Sequence, residues 1–303
     1  MAPPLRIGRA LAGPTPETDG AAAALPAWRG ESTRAMPRPL ARPLVDGDLA
    51  PVPASWRVGP PDFVGLGCGK AGTTWWWCLL EQHPQVVPNR AGEKELHHFS
   101  HFDLRGPDAA AIEVYRRAFA APPGAISGEF TCTYLNQPLA VDWLHAAAPT
   151  ARCIAMLRNP IDRAVSAYNM LETGRAKLFG LEGEAEHALL AFSLFPEAMQ
   201  SSLVAGPLER AIELFGRDQV QVLQYERCQR DGAAQFRRTC EFLGIDPSFV
   251  PSDLTRPVND RAYTIAKPDA ERRRRLAAYF RHDVERLAGL CPELELGLWP
   301  DFT

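Results

Sequence analysis

The segment Gly65-Leu66-Gly67-Cys68-Gly69-Lys70-Ala71-Gly72-Thr73-Thr74-Trp75 restricts what this chain can fold into more than any other. The run Asp62-Phe63-Val64-Gly65-Leu66 that leads into it reads as a short buried strand. The stretch from Thr73 to about Gln82 reads as a helix stopped by His83-Pro84. A strand, a glycine-dense turn and a helix start, in that order, aim backbone N–H groups and the positive end of a helix dipole at one spot, which suits a phosphate. Lys70 adds a full charge inside the turn, and Thr73 and Thr74 add hydroxyls at the first helical turn. A turn required only for tight geometry would need the glycines but neither the lysine nor the threonine pair.

The wider pattern fits one architecture. Apolar runs recur at Val86-Val87, Ala125–Glu129, Cys153–Leu157 and Val220–Tyr225. Helix-like stretches lie between or after them at Ala109–Ala120, Leu139–Ala147, Ile161–Leu171, Leu203–Phe215 and Gly232–Leu243, and a long amphipathic helix spans about Asp269 to Leu290. Such alternation predicts an α/β, P-loop-like fold of three layers, with a mostly parallel central sheet covered by helices on both faces. With 303 residues, 46% of them hydrophobic, the chain has material for a sizeable core. Residues 1–58, rich in Ala, Pro, Arg and Gly and without a sustained period, are expected to form a flexible tail or cover, and residues 59–303 the folded domain.

Composition excludes several classes. A net charge of −3 argues against a nucleic-acid binder, and Arg272-Arg273-Arg274-Arg275 reads as a solvated helix face. Seven cysteines without a C-x-x-C pair fit neither a zinc site nor a secreted disulfide framework. No run reaches the roughly 18 uncharged apolar residues that a membrane span needs, so no integral membrane segment and a cytoplasmic location are expected. Homo-oligomerisation stays open. Only four lysines occur, Lys70, Lys94, Lys177 and Lys267, which singles out the one in the glycine turn.

The nucleoside-triphosphatase loop reads GxxxxGK[ST] and uses the residue after the lysine to hold magnesium. Ala71 stands there instead, so no metal is expected, and a P-loop kinase acting on a metabolite is the weaker alternative. A second motif follows the Cys153–Leu157 run: Arg158-Asn159-Pro160-Ile161-Asp162-Arg163-Ala164-Val165-Ser166-Ala167-Tyr168. A strand end delivering Arg158, then a turn, then a helix carrying Arg163 and Ser166 can grip a terminal phosphate through guanidinium and hydroxyl.

Together these two segments closely resemble the nucleotide motifs of the sulfotransferases that use 3′-phosphoadenosine 5′-phosphosulfate (PAPS), here with the style of the carbohydrate, or heparan, branch and of a bacterial member. The resemblance covers roughly residues 60–300. It implies sulfuryl transfer from PAPS, leaving 3′-phosphoadenosine 5′-phosphate (PAP), to a hydroxyl or amine of a small-molecule, glycan or glycolipid acceptor. It places the 5′-phosphosulfate on Lys70, Ala71, Gly72, Thr73, Thr74 and Trp75 and the 3′-phosphate on Arg158 and Ser166, with Arg163 supporting the loop and Arg261 a further nucleotide contact. A non-catalytic nucleotide-binding protein of the same fold is the other alternative.

Gly92-Glu93-Lys94-Glu95-Leu96-His97-His98-Phe99 resembles the family's Lys-Glu-x-His-Phe segment, which implies Glu95 as catalytic base, Lys70 as electrostatic catalyst and His97 as second base candidate. Leu96 and Phe99 are expected to raise the Glu95 pKa toward a useful value. Gly128-Glu129-Phe130-Thr131-Cys132-Thr133-Tyr134-Leu135 resembles a family segment with Lys where Phe130 stands and Pro where Cys132 stands. That departure suggests an acceptor less anionic than heparan, with Phe130, Phe99, Trp76 and Trp77 as candidate apolar contacts, although core packing is the preferred role for the tryptophans, which lie in the helix after the turn.

Overall fold

The computed structural model describes residues 42–137, 139–179, 196–254 and 268–303. Five strands form the central sheet: β2 (Phe63–Gly67), β3 (Val86–Val87), β5 (Ile126–Phe130), β6 (Arg152–Leu157) and β7 (Val220–Gln224), in the order β3-β5-β2-β6-β7. Every pairing between neighbours is parallel. Residues of β2, β6 and β7 are buried almost throughout, as expected for strands covered on both faces. The helices are α1 (Thr73–Leu80), α2 (Ala109–Arg117), α3 (Ala140–Ala147), α4 (Pro160–Phe179), α5 (Pro196–Gln200), α6 (Ala205–Phe215), α7 (Tyr225–Arg230), α8 (Gly232–Leu243) and α9 (Ala270–Leu290). The expected α/β layering is therefore present. Among the described residues, no helix is long and apolar enough to cross a membrane.

Two expectations on the boundaries change. The helix expected over Ala109–Ala120 stops at Arg117, and Phe119–Ala121 forms β4, which pairs antiparallel with β1 (Arg57–Gly59). The packed domain also reaches back before residue 59. Leu44 is buried in the core and its N–H donates to His98 Nδ1 at 3.1 Å, while Arg117 forms an ion pair with Asp46. Such contacts are long-range, so the lack of local periodicity in residues 42–58 concealed them. Residues 1–41 lie outside the described residues.

In the Arg272–Arg275 run, Arg272, Arg274 and Arg275 are exposed as expected, with Arg272 paired to Asp269 and Arg275 to Glu271, whereas Arg273 is half-buried and pairs with Asp162 and Asp301.

The core settles the role of four aromatic residues. Phe130, Phe99, Trp76 and Trp77 are all fully buried, which corrects the expectation that Phe130 and Phe99 contact an acceptor and agrees with core packing for the two tryptophans. Phe130 lies edge-on to Trp77 at 6.3 Å and fills the space above Gly65, where an added Cβ would sit 2.0 Å from its ring. Gly65 is thus required by the close approach of β2 and β5, and Phe130 is its packing partner. Phe130→Ala is expected to lower stability by about 3–5 kcal/mol, read from urea unfolding followed by circular dichroism. Phe130→Lys, which restores the residue type of the resembling segment, should bury an unpaired charge and unfold the protein, not improve use of anionic acceptors.

Candidate functional site

Because the sheet is parallel, the residues that follow its strands gather at one edge. This carboxyl edge is where open α/β sheets bind ligands. The turn after β2 carries Lys70, the loop after β3 carries Glu95 and His97, the turn after β5 carries Cys132, and the end of β6 delivers Arg158.

The turn after β2 is held from outside itself. Lys70 has φ 68°, a left-handed conformation costly for a side chain with a Cβ, and Gly67 and Gly72 have φ 124° and 88°. Arg158 Nη1 donates to the Lys70 carbonyl at 3.0 Å and Arg163 Nε to the Gly69 carbonyl at 3.0 Å. The Gly69 N–H donates to the Cys132 carbonyl at 2.9 Å, and the Cys68 N–H to the Met156 carbonyl at 2.9 Å. The Ala71 N–H donates to the Cys68 carbonyl at 3.2 Å, so the amides of Cys68, Gly69 and Ala71 are all consumed inside the protein. The first-turn amides of α1, at Thr73, Thr74 and Trp75, have no partner within the helix, and its N-cap Gly72 supplies no side-chain cap. The donors aimed at a ligand are those at the helix start, together with Lys70, whose Nζ reaches Met170 Sδ at 3.7 Å.

Arg163 is buried, and besides the Gly69 carbonyl its guanidinium reaches the Ala198 carbonyl and the Ser201 and Ser202 hydroxyls. It supports the loop and is not placed to grip a ligand. Arg158 lies 4.8 Å over the ring of Tyr225, which in turn packs edge-on against Trp75. Ser166 is half-buried on α4. Arg261 lies outside the described residues.

The turn that presents Arg158 is clamped by the carboxyl terminus of the chain. The Asn159 N–H donates to Glu226 Oε1 and its Nδ2 to Asp301 Oδ2, both at 2.9 Å. Trp299 Nε1 donates to Glu226 Oε2 at 2.9 Å, and Arg273 holds Asp301 with two bonds of 2.9 and 2.6 Å. The sequence assigns no such role to Glu226, Arg273, Trp299 or Asp301, since the pairs are separated by 28 to 142 positions.

Glu95 sits inside a cluster. Lys94 Nζ forms an ion pair with its Oε1, His97 Nε2 donates to its Oε2 at 3.0 Å, and the Cys132 thiol approaches the same Oε2 at 3.2 Å. On the other side of the ring, His97 Nδ1 lies 3.2 Å from Thr133 Oγ1. The expected rise in the Glu95 pKa does not occur. Burial pushes it up, but the His97 bond, the Lys94 charge and bond and the Cys132 bond outweigh burial and hold it at about 2. The nearby Leu96 and Phe99 are buried in the core, so polar neighbours surround the carboxylate instead. Burial, reinforced by the Glu95 charge, pushes the Cys132 thiol up to about 12, which keeps it protonated and able to donate. Cys132 thus joins the two halves of the site, its carbonyl to the turn and its thiol to Glu95.

A depressed carboxyl pKa contributes stability above its unfolded value that is lost as pH falls through the folded value. For Glu95 that window runs from 4.5 down to about 2. Glu95→Gln is therefore expected to flatten part of the fall in melting temperature over this range relative to wild type, measured by scanning calorimetry across pH. Identical slopes would show that the cluster does not hold the carboxylate ionised.

The sequence profile of the Sulfotransferase family matches residues 109–249, a span that starts beyond Lys70 and Glu95. The membrane-associated sulfotransferase kil1 of Dictyostelium discoideum is 30% identical over 113 residues, covering 36% of this chain and 22% of that protein. Heparan sulfate glucosamine 3-O-sulfotransferase 6 of Homo sapiens is 29% identical over 187 residues, covering 61% of this chain and 52% of that protein. The chain thus spans about half or less of the length of these curated relatives. A crystal structure of a sulfotransferase from Alicyclobacillus acidocaldarius superposes with a TM-score of 0.59 at 28% identity, over 80% of this chain and 99% of that one.

Proposed function

This chain belongs to the sulfotransferase family, and on that premise we propose that it transfers a sulfuryl group from PAPS to a hydroxyl or amine of a carbohydrate, glycolipid or natural-product acceptor. One observation carries the reading: a lysine-bearing, helix-starting turn and a carboxylate–imidazole pair share a single connecting residue, Cys132. One group of donors suits the phosphosulfate and the other suits the proton of an acceptor.

The residues at hand fit such a donor. The uncapped start of α1, the Thr73 and Thr74 hydroxyls and Lys70 offer N–H, O–H and ammonium groups to the 5′ end, with Trp75 beside them. Arg158 and Ser166 supply a guanidinium and a hydroxyl for the 3′-phosphate. Ala71 is fully buried and presents no hydroxyl to a magnesium ion, unlike the corresponding position of a nucleoside-triphosphate loop.

PAPS supplies an activated sulfuryl group whose S–O bond to the 5′-phosphate breaks as the bond to the acceptor forms. Lys70 steadies the negative charge that gathers on the leaving phosphate. Glu95, already ionised, takes the acceptor proton. A carboxylate held near 2 is a weak base toward an alcohol, but an oxygen bonding to sulfur becomes steadily more acidic, so the proton moves late. His97 and Lys94 hold the carboxylate in place, and His97 is the second base candidate. The names of the heparan sulfate relatives and the Lys94-Glu95-Leu96-His97 segment support a carbohydrate-type acceptor. Phe130 carries no weight in that choice, because its side chain is in the core.

An acceptor panel incubated with labelled PAPS, with the sulfonated product identified by mass spectrometry, tests the function. Transfer to no acceptor, together with magnesium-dependent ATP turnover, would overturn it. Lys70→Ala is expected to lower kcat by about 100-fold or more. Arg158→Ala should weaken PAP binding by about 10- to 100-fold, the loss of one charge-assisted contact, with a smaller effect on kcat. Titration calorimetry separates the two variants.

A further inference from the structure

Glu129, the penultimate residue of β5, is fully buried and has no place in the chemistry above. Four donors converge on its carboxylate. Tyr115 and Tyr134 hydroxyls reach Oε1 at 2.8 and 3.1 Å, while the Thr131 hydroxyl and the Leu96 N–H, the latter at 3.3 Å, reach Oε2. Leu96 is the residue between Glu95 and His97. The Thr131 oxygen that donates to Glu129 also accepts the N–H of His97 at 3.2 Å. The two consecutive amides next to the candidate base and its partner are thus both held by Glu129, one directly and one through Thr131. Extra restraint is needed there: His97 has φ 48°, a left-handed conformation that a side chain with a Cβ adopts only when its surroundings enforce it.

The side chains of the same loop are bound to the next turn. His97 Nδ1 meets the Thr133 hydroxyl at 3.2 Å and Glu95 Oε2 meets the Cys132 thiol at 3.2 Å. The backbone of residues 96 and 97 and the side chains of residues 95 and 97 are therefore registered against one short stretch, Glu129–Thr133. A buried carboxylate is an expensive anchor, and burial does lift the Glu129 pKa above the usual carboxylate value against the pull of its donors. A neutral apolar residue would fill this space at lower cost but could accept neither the Leu96 N–H nor the Thr131 hydroxyl.

We propose that Glu129, acting through Thr131 and the Leu96 and His97 amides, is a positioning residue that sets the Glu95–His97 pair in register with the phosphate turn. The proposal rests on the reading of that pair as the proton-handling group. It predicts a defect in the chemical step with donor binding intact, since the turn after β2, besides its Cys132 bond, is held by Arg158 and Arg163, which lie outside the Glu129–Thr133 stretch.

The test compares Glu129→Gln, Thr131→Val, Thr131→Ser and Glu95→Gln in the full chain, with kcat, the KM for PAPS and calorimetric PAP binding as readouts. Glu129→Gln and Thr131→Val should lower kcat by about 10- to 100-fold, the cost of misplacing a catalytic group by a fraction of an ångström to an ångström. PAP binding should stay within twofold of wild type. Thr131→Ser, which keeps the hydroxyl, should restore kcat, and Thr131→Val added to Glu95→Gln should cause no further loss. Equal kcat in Thr131→Val and Thr131→Ser, or additive losses in the double variant, would overturn the positioning role even where Glu129→Gln fails to fold. A fully active Glu95→Gln would instead overturn the base assignment on which the proposal rests.

Discussion

The turn between β2 and α1 cannot hold its own shape, and much of the structure exists to hold it. Three of its four residues from Gly67 to Lys70 are bound through backbone atoms to parts of the chain distant in sequence: Met156 on β6, Cys132 after β5, and the guanidinium groups of Arg158 and Arg163. Lys70 in a left-handed conformation is tolerated because these partners over-determine it. The same bonds make the two ends of the proposed nucleotide site interdependent, since the arginine proposed for the 3′-phosphate also fixes the carbonyl of the lysine proposed for the 5′ end. The carboxyl-terminal residues Trp299 and Asp301 extend the chain of support by clamping the turn from which Arg158 projects.

Electrostatics at Glu95 follow from the same economy of contacts. Partial burial alone would have produced a carboxyl with a raised pKa, the usual route to a strong general base. The surroundings instead supply a cation, an imidazole N–H and a thiol, so the group stays ionised and oriented. The arrangement favours placement over basicity. That balance suits a reaction in which the proton leaves late and in which in-line alignment accounts for much of the rate.

A large part of this was legible before any coordinates. The strands at Phe63–Gly67, Arg152–Leu157 and Val220–Gln224 and the helices at Gly232–Leu243 and Ala270–Leu290 match their expected positions within one or two residues, because each is a local pattern of apolar spacing, turn residues or caps. Lys70, Glu95, His97 and Arg158 stood out because each belongs to a contiguous motif. Expectations that depended on which way a side chain points were less secure. Phe130 follows Glu129 on a strand whose last four residues are all buried, so alternation could not separate core from cleft, and its ring belongs to Gly65 and Trp77. The pKa of Glu95 went the opposite way for a related reason: the apolar neighbours visible in sequence turn into the core, whereas His97 and Lys94 turn their side chains onto the carboxylate, with a smaller contribution from Cys132, 37 positions away.

The sequence by itself determined the phosphate-type turn, the parallel α/β arrangement around it and the identity of the charged groups, because these rest on short-range patterns in which spacing dictates geometry. Only the tertiary structure decided which amides of that turn remain available, that Arg163 supports it through the Gly69 carbonyl, that the carboxyl-terminal residues clamp the Arg158 turn, and that Glu129 anchors the loop of Glu95 and His97. The physical reason is common to all four. A hydrogen bond between groups many tens of residues apart has no periodic trace in the chain, and it exists only once the parallel sheet has brought the ends of its strands to one edge.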